Sequence, residues 1–258
     1  MRLRDKRIIV TGGGQGIGAG AVRAFVGEGA TVTSFSRDKD RGRIVAEEAT
    51  AAGPGTATFR QVDVGDRSQV DEAFDEAVTR MGGLDTLVHV AGIHTLVPVH
   101  DVPQDVLDEM FRVNVYGTMY CNAAAYRTMV KAGGGAIVNF GSESGVNALS
   151  DNGVYGATKG AVHTWTRCAA KDWGPHGIRV NAVLPYVVTP MYAQYRESLS
   201  PAQLALHDKQ TAEQIPLGGK FGDVAQDLAP VLVFLASDDS HFITGQLIPV
   251  DGGLLSVR

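Results

Sequence analysis

The chain has 258 residues, of which 44% are hydrophobic and 20% charged, with 32 glycines and a formal net charge of −5. This composition is typical of a globular protein, and the length suits one large α/β domain or two small ones. A negative charge without a basic cluster argues against a nucleic-acid partner. Apolar runs stop well short of the ~20 residues that cross a membrane, so we expect no membrane partner.

The start of the chain and its cysteines indicate a compartment. The run MRLRDKRIIV passes from charged residues directly into a strand-like segment, without the apolar core of a secretion signal. Cys121 and Cys168 fall in separate helical patterns and lack the spacing of metal ligands. We therefore expect a cytoplasmic protein with two buried free thiols and no metal, since His94, His100 and His163 are also scattered.

Short β-rich runs alternate with helical patterns along the whole chain. The predicted strands are RIIVT (7–11), TVTSF (31–35), ATFRQV (57–62), DTLVHV (85–90), GAIVNF (135–140), IRVNAV (178–183) and GQLIPV (245–250). Between them, segments such as SQVDEAFDEAVTRM carry apolar residues at helical spacing. Because such strands need crossover connections, we predict a Rossmann-type, doubly wound, mainly parallel seven-stranded sheet with helices on both faces.

No linker-like stretch divides the chain, so we predict a single domain over residues 1–258. Its least regular part, 186–220, combines prolines, paired glycines and short helical pieces. This pattern predicts a flap that covers a site within the domain.

The run IIVTGGGQGIGAGAVRAF predicts a strand, a glycine-rich turn and a helix. Without side chains at Gly12, Gly16 and Gly18, the backbone can turn sharply and approach a pyrophosphate, and the helix amides favour its negative charge. A glycine-rich turn alone is a weak signal, but its strand and helix context strengthens it. The Gly-Lys-Ser/Thr end of a nucleoside-triphosphate loop is missing, which disfavours that ligand.

The run GVYGATKG places Tyr155 and Lys159 four residues apart at the start of a largely apolar helix. That spacing puts both side chains on one helix face. Joined to Thr11-Gly12-x-x-x-Gly16-x-Gly18, the pair resembles the classical type of the short-chain dehydrogenase/reductase family. The resemblance covers essentially the whole chain and includes, in the same order, Asp63 after the third strand, Asn114 in RVNVYG, Ser142 in IVNFGSESG, RVNAVLP at 179–185 and FLASDDSHFITGQLIPVDGG near the C-terminus.

The resemblance implies an NAD(P)(H)-dependent oxidoreductase that interconverts a ketone and a secondary alcohol, with the catalytic set Ser142, Tyr155, Lys159 and Asn114. In the family the tyrosine exchanges the proton, the lysine also holds the nicotinamide ribose, the serine hydrogen-bonds the substrate oxygen, and the asparagine keeps a water link to the lysine. A phenol with a pKa of ~10 is only about one part in a thousand ionised at neutral pH. We expect the Lys159 ammonium, together with the cationic nicotinamide, to lower the pKa of Tyr155.

The resemblance also implies the residues that bind the cofactor. They are Gly12, Gln15, Gly16, Ile17, Gly18, Ser36, Arg37, Asp63, Val64, Ala91, Gly92, Tyr155, Lys159, Pro185, Val188 and Thr189. Asp63 would accept a hydrogen bond from adenine or simply cap its strand. Thr189 would bind near the nicotinamide or simply cap a turn.

Cofactor choice depends on the end of the second strand, where an acidic residue would favour NAD. This chain has Ser36 and Arg37 there, which suit the 2′-phosphate of NADP. Gln15 stands where many relatives that prefer NADP carry a second basic residue, and Asp38 would oppose a phosphate. NADP(H) is favoured, and NAD(H) remains possible.

Two positions depart from the family pattern. HVAG at 89–92 replaces the common Asn-Asn-Ala-Gly, which puts the usual asparagine contacts in doubt. Tyr186 replaces the glycine expected after Pro185, so it either reshapes the substrate pocket or turns outward. We predict that Ser144, Tyr186, Met191 and Tyr192 lie on the substrate side, and that Tyr186, Met191 and Tyr192 contact a largely apolar ketone or alcohol.

Two other functions stay open. A 3-oxoacyl thioester reductase acting on an acyl carrier protein is the nearer one, although no basic patch for an acidic carrier stands out near the flap. A cofactor-sensing protein without turnover is the more distant one, and the complete catalytic set argues against it. The resemblance further implies a homotetramer or homodimer, with helices near 104–131 and 153–173 and the last strand in its interfaces.

Overall fold

Seven strands form one sheet in the computed structural model, which describes residues 1–148 and 150–255. The sheet order is β3-β2-β1-β4-β5-β6-β7, and all six neighbouring pairs are parallel. The strands are β1 Arg7–Thr11, β2 Thr31–Ser36, β3 Thr56–Gln61, β4 Thr86–His89, β5 Gly135–Phe140, β6 Ile178–Pro185 and β7 Leu247–Val250. The predicted doubly wound fold is confirmed.

Helices cover both faces of the sheet. They are α1 Gly16–Gly27, α2 Lys39–Ala52, α3 Arg67–Met81, α4 Gln104–Met110, α5 Gly117–Ala132, α6 Gly153–Trp173, α7 Pro190–Ser198, α8 Pro201–Gln214 and α9 Ala229–Ala236. Because side chains alternate along a strand, Ile8 and Val10 of β1 pack with α1 and α9, whereas Ile9 packs with α3 and α5. Two hydrophobic cores therefore enclose the sheet.

The site follows from the strand order. β1 has β2 on one side and β4 on the other, so the chain winds outward in opposite directions from β1. Such a reversal opens a crevice at the carboxyl ends of the strands. The glycine turn follows β1 directly and Ser36 ends β2, while Asp63, Gly92 and Ser142 lie two or three residues beyond the ends of β3, β4 and β5.

The structure changes three predicted details. The predicted last strand, 245–250, begins only at Leu247, because Gly245 has a φ of +73°. The helical pattern that spans α4 and α5 contains a π-helical turn at Phe111–Tyr116. Only one thiol is buried as expected: Cys121 packs in the core, while Cys168 on α6 is exposed.

The predicted flap region contains α7 and α8. Both helices begin with proline after a capping hydroxyl: Thr189 accepts a hydrogen bond from the Tyr192 amide, and Ser200 accepts one from the Gln203 amide. Within the described ranges, none of the helices is both long and apolar enough to cross a membrane.

Candidate active site

The glycine turn between β1 and α1 forms a cradle that side chains would fill. Gly12 has a φ of +70°, and a Cβ there would lie 2.9 Å from the Ala91 nitrogen. A Cβ on Gly18 would lie 2.1 Å from the Gly12 oxygen. Gln15 precedes α1 without a side-chain cap from any described residue, and the first turn of α1 has no acidic side chain. These features fit a dinucleotide pyrophosphate at the helix N-terminus.

A cleft of about 360 Å³ extends from this cradle across the ends of the strands. Most predicted cofactor-binding residues line it: Gly12, Gln15, Gly16, Ile17, Gly18, Ser36, Arg37, Asp63, Val64, Ala91, Gly92 and Thr189. Met191, predicted on the substrate side, also lines this cleft. Pro185 ends β6, and Val188 donates its amide to the Gly222 carbonyl at 2.8 Å, which ties the loop before α7 to the segment before α9.

Asp63 at one end of the cleft is held by two contacts. The Gly65 amide donates to Asp63 Oδ1 at 2.9 Å, and Arg112 Nη1 lies 3.0 Å from Asp63 Oδ2. Because a carboxylate oxygen accepts more than one hydrogen bond, these contacts fix its orientation and leave capacity for an adenine amino group.

Three basic or polar groups surround the end of β2. Ser36 donates its hydroxyl to the Asp38 carbonyl at 2.9 Å, and Arg37 Nη1 lies 3.6 Å from Glu109. Arg41, on the first turn of α2, also lines the cleft and donates to the Gln15 side-chain oxygen. Sequence reasoning missed Arg41, although a second arginine four residues after Arg37 is visible in the sequence.

Asn114 joins two parts of the site through its side-chain amide. Its Nδ2 donates to the Ile93 carbonyl at 2.9 Å and to Thr158 Oγ1 at 3.1 Å, while its Oδ1 accepts from the Ile93 amide at 2.8 Å. Asn114 lies in the π-helical turn, and such turns often occur at functional sites. It therefore connects the loop after β4 with α6, which carries Thr158.

The predicted Tyr155–Lys159 pair lies on one face of α6. Lys159 Nζ is 5.5 Å from the Tyr155 ring centroid and donates to the Phe140 carbonyl at 2.8 Å. A Cβ on Gly92 would lie 3.2 Å from Asn114 Oδ1 and 3.6 Å from Lys159 Nζ, so the Gly92 backbone lies next to both side chains. Lys159 thus lies beside Gly92, which lines the cleft, whereas Tyr155 and Lys159 are not themselves among the cleft-lining residues.

Burial shifts the pKa values of both Tyr155 and Lys159. Burial, with a smaller contribution from the Glu143 charge, raises the pKa of Tyr155 to about 12, against a smaller opposing effect of the Ser142 hydroxyl. Burial lowers the pKa of Lys159 to about 8, against a smaller opposing effect of Glu143. Without the cationic nicotinamide, the protein groups do not produce the expected lowering of the Tyr155 pKa, because burial and the Glu143 charge outweigh the Ser142 hydroxyl. A cationic ligand would have to reverse it.

Ser142 is held by its neighbours at the end of β5. Its amide donates to His163 Nε2 at 3.3 Å, its hydroxyl donates to Glu143 Oε2 at 2.9 Å, and the Ser144 amide donates to that hydroxyl at 3.2 Å. Burial lowers the pKa of His163 to about 4, so this imidazole stays neutral and accepts the amide hydrogen. His94 completes the surroundings, with its ring centroid 4.4 Å from that of Tyr155.

Sequence reasoning gave no role to Glu143 or His94. Glu143 directly follows Ser142 in GSESG, so the sequence already showed a carboxylate next to the predicted catalytic serine. His94 lies in the loop after β4, and its Nε2 is 2.7 Å from Asn152 Oδ1. Within the described part of the chain, no group of three or more potential metal ligands occurs.

His89 takes the place of the expected asparagine and fills it with a buried neutral ring. Its Nδ1 lies 2.9 Å from Thr11 Oγ1, which also accepts the Ala91 amide at 3.1 Å. Burial lowers the pKa of His89 to about 3, with a smaller contribution from the Lys159 charge. The histidine therefore keeps a polar link between β1 and β4.

Tyr186 and Tyr192 are arranged around a residue that sequence reasoning missed. Phe221 stacks between them, with ring centroids 4.0 Å from Tyr186 and 3.8 Å from Tyr192. Tyr192 also hydrogen-bonds His207 Nε2 at 2.8 Å. Tyr186 lines a cavity of about 670 Å³, and Tyr192 lines a neighbouring one of about 550 Å³. The stack joins the flap to the end of β6.

Comparison with known proteins identifies the family. A family model described as enoyl-(acyl carrier protein) reductase matches residues 12–255. The solved structure of a short-chain type dehydrogenase/reductase from Mycobacterium ulcerans aligns with a TM-score of 0.91 and 34% identity, over 98% of this chain and 91% of that one. This chain belongs to the short-chain dehydrogenase/reductase family.

Characterised short-chain dehydrogenases/reductases align over nearly their full length. The 3-oxoacyl-[acyl-carrier-protein] reductase of Thermotoga maritima is 34% identical over 256 residues, which cover 99% of this chain and 100% of that protein. The sorbitol dehydrogenase of Cereibacter sphaeroides is 34% identical over 262 residues, covering 98% of both. The protein is accordingly an NAD(P)-dependent oxidoreductase that interconverts a secondary alcohol and a ketone.

Proposed function

We propose that Ser142, Tyr155, Lys159 and Asn114 form the catalytic set of this oxidoreductase, with Tyr155 as the general acid and base. The observation that carries the proposal is the shared α6 face, on which the Lys159 ammonium and the Tyr155 ring lie 5.5 Å apart beside Gly92. Bound NAD(P)(H) accepts or supplies the hydride. Tyr155 exchanges the proton of the substrate oxygen, and Ser142 donates a hydrogen bond to that oxygen.

Lys159 and Asn114 have supporting roles in this proposal. The buried Lys159 ammonium favours the ionised form of Tyr155 when the phenol gives up its proton. Asn114 holds the loop after β4 against α6 through the contacts to Ile93 and Thr158. A panel of ketones and secondary alcohols, assayed with both cofactors by nicotinamide absorbance, tests the proposal. Absence of turnover across the panel would contradict it.

We also propose a preference for NADP(H), supported by Ser36, Arg37 and Arg41 around the end of β2. A guanidinium forms charge-assisted hydrogen bonds to a phosphate. Arg41 contacts Gln15, so its charge lies beside the position where relatives carry a second basic residue.

For Arg41→Ala we expect kcat/KM for NADPH to fall about tenfold, the scale of one charge-assisted hydrogen bond, with little change for NADH. Arg37→Asp should shift the preference further towards NADH, because a carboxylate repels the 2′-phosphate. The measurement is steady-state kinetics with both cofactors. Arg43→Ala is the matched control, since Arg43 also lies on α2 and pairs with a carboxylate, that of Glu47, but does not line the cleft. Unchanged NADPH-to-NADH ratios in both test variants would refute the assignment.

For the substrate we propose a small ketone or secondary alcohol, bounded by Ser144, Tyr186, Met191 and Tyr192. The stack of Tyr186 on Phe221 and the exposed Met191 support an apolar wall under the flap. Tyr186→Gly removes one ring of the stack, so we expect the KM for such substrates to rise about tenfold or more, the scale of a buried aromatic pair and its area. Kinetics across the panel measure this. An unchanged substrate profile would mean that Tyr186 only packs against Phe221.

A 3-oxoacyl thioester on an acyl carrier protein is the second candidate, favoured by the Thermotoga maritima relative. The charges on the flap support it less. Arg196 pairs with Asp208, and Lys209 lies 3.9 Å from Glu213, so these cations face acidic neighbours rather than an acidic carrier. The matched assay compares a carrier-bound 3-oxoacyl thioester with small ketones.

Two further proposals rest on the family resemblance. We place the protein in the cytoplasm, and we propose a homotetramer or homodimer whose interfaces use α5, α6 and β7. Tyr116, which is 49% exposed directly before α5, supports an apolar contact on that helix. Light scattering of the purified protein measures the oligomeric state.

A further inference from the structure

Glu143 places a carboxylate directly beside Ser142. The Ser142 hydroxyl donates to Glu143 Oε2 at 2.9 Å. Within residues 1–148 and 150–255, none of the ion pairs involves Glu143, so the Lys159 ammonium interacts with it only from a longer distance. The hydrogen bond from Ser142 is therefore the direct contact that stabilises the Glu143 carboxylate.

The half-buried Glu143 carboxylate lies beside Ser142 of the proposed catalytic set. Its charge contributes to the raised pKa of Tyr155 and of Tyr186, and it opposes the lowering of the Lys159 pKa. Tyr155 and Lys159 lie on α6 and Tyr186 directly follows β6, so the Glu143 charge acts on groups from two segments. His94, in the loop after β4, packs against the Tyr155 ring.

The single proton of Ser142 cannot serve two acceptors. A serine hydroxyl has one O–H donor, and in the free protein that donor is used on Glu143. In the proposed reaction the same donor must turn to the substrate oxygen. Glu143 then loses its hydrogen bond, and leaving a partly buried carboxylate without a donor is unfavourable. A substrate that brings its own donor to Glu143 removes this penalty.

We propose, building on the proposed function, that Glu143 is a specificity-determining residue that accepts a hydrogen bond from a hydroxyl on the carbon next to the reacting one. The substrate is then a vicinal diol or the matching α-hydroxy ketone. The geometry suits this class, because two vicinal oxygens in the gauche arrangement lie about as far apart as Ser142 Oγ and Glu143 Oε2. One oxygen meets Ser142 and Tyr155, and the other meets Glu143.

The oxidation balances with these groups. The reacting C–H would give its hydride to bound NAD(P)⁺, the O–H on the same carbon gives its proton to the ionised Tyr155 phenolate, and the carbon–oxygen bond becomes a carbonyl. The neighbouring hydroxyl stays intact and donates to Glu143. The same carboxylate repels an anionic group in that position, so hydroxy acids are disfavoured.

The test compares butan-2-ol with two compounds that each differ from it at one carbon next to the reacting carbon: butane-2,3-diol and 2-hydroxybutanoate. We expect the wild-type kcat/KM for the diol to exceed that for butan-2-ol at least about tenfold, the scale of a hydrogen bond to a charged group. The hydroxy acid should be the poorest of the three. In Glu143→Ala the diol-to-butan-2-ol ratio should fall about tenfold, and in Glu143→Gln it should be intermediate, because the amide oxygen accepts without charge. Glu47→Gln on α2 is the control.

Each outcome decides the inference. Equal wild-type efficiency with diol and butan-2-ol, or an unchanged ratio in Glu143→Ala, overturns it while leaving the proposed oxidoreductase function intact. A preference for 3-aminobutan-2-ol over the diol overturns the hydroxyl as donor. Absence of turnover with every alcohol and ketone overturns the proposed function, and this inference with it. If the variants fail to bind cofactor, the wild-type comparison alone decides.

Discussion

Tyr155→Phe is expected to lower kcat by about 10²- to 10⁴-fold, the usual contribution of a positioned general acid or base. The change removes one oxygen and keeps the ring that packs against His94. Cofactor affinity should therefore stay close to that of the wild type. The measurement combines steady-state turnover with a cofactor-binding titration, for example by protein fluorescence.

The matched control for this variant is Tyr126→Phe. Tyr126 lies on α5, and its hydroxyl contacts His176 Nδ1 at 3.3 Å, away from the cleft. Turnover of this control should remain near the wild-type value. Substantial turnover in Tyr155→Phe would mean that another group exchanges the proton. Loss of cofactor binding together with turnover would mean that the variant disturbs the cleft rather than the proton step.

The fold could be predicted from the sequence because it follows from the order of local strand and helix patterns. Short β-rich runs separated by helical spacing admit few arrangements other than a parallel sheet covered on both faces. The π-helical turn around Asn114 could not be predicted, because a helical apolar pattern does not distinguish a turn with one extra residue. The exposure of Cys168 depends on which side of α6 meets the sheet, and this is decided by packing.

The site residues also divide into those that the sequence indicates and those that only the fold reveals. Gly12, Tyr155 and Lys159 belong to short motifs with fixed spacing, so the chain alone indicates them. Arg41 and Phe221 belong to the site only because folding brings them against residues from distant segments. Arg41 contacts Gln15, and Phe221 stacks on Tyr186. The pKa of Tyr155 is a burial effect, and burial is a property of the whole fold.

Lys159→Met is expected to abolish most turnover while making the protein more stable at pH 7. Burial lowers the pKa of Lys159 from 10.5 to about 8. At about 1.4 kcal/mol per unit, the charged form destabilises the folded state by about 3 kcal/mol. Methionine lacks the charge but loses the hydrogen bond to the Phe140 carbonyl, which offsets about 1 kcal/mol. The net gain should be about 2 kcal/mol, or roughly 5 °C in Tm.

The pH dependence distinguishes this cause from general repacking. The folded-state pKa of Lys159 lies below the unfolded value of 10.5. Protonation of Lys159 therefore begins to destabilise the folded state as pH falls below 10.5, and the effect is complete below about pH 8. The stability difference between Lys159→Met and the wild type should therefore be full below pH 8 and shrink towards pH 10.5. Denaturant titrations of both proteins across this range measure it. Lys171→Met, on the exposed side of the same helix, should gain little. A Lys159→Met variant no more stable than the wild type at pH 7 would show that the ammonium is compensated inside the fold, and the site would then carry no stored destabilisation for catalysis to use.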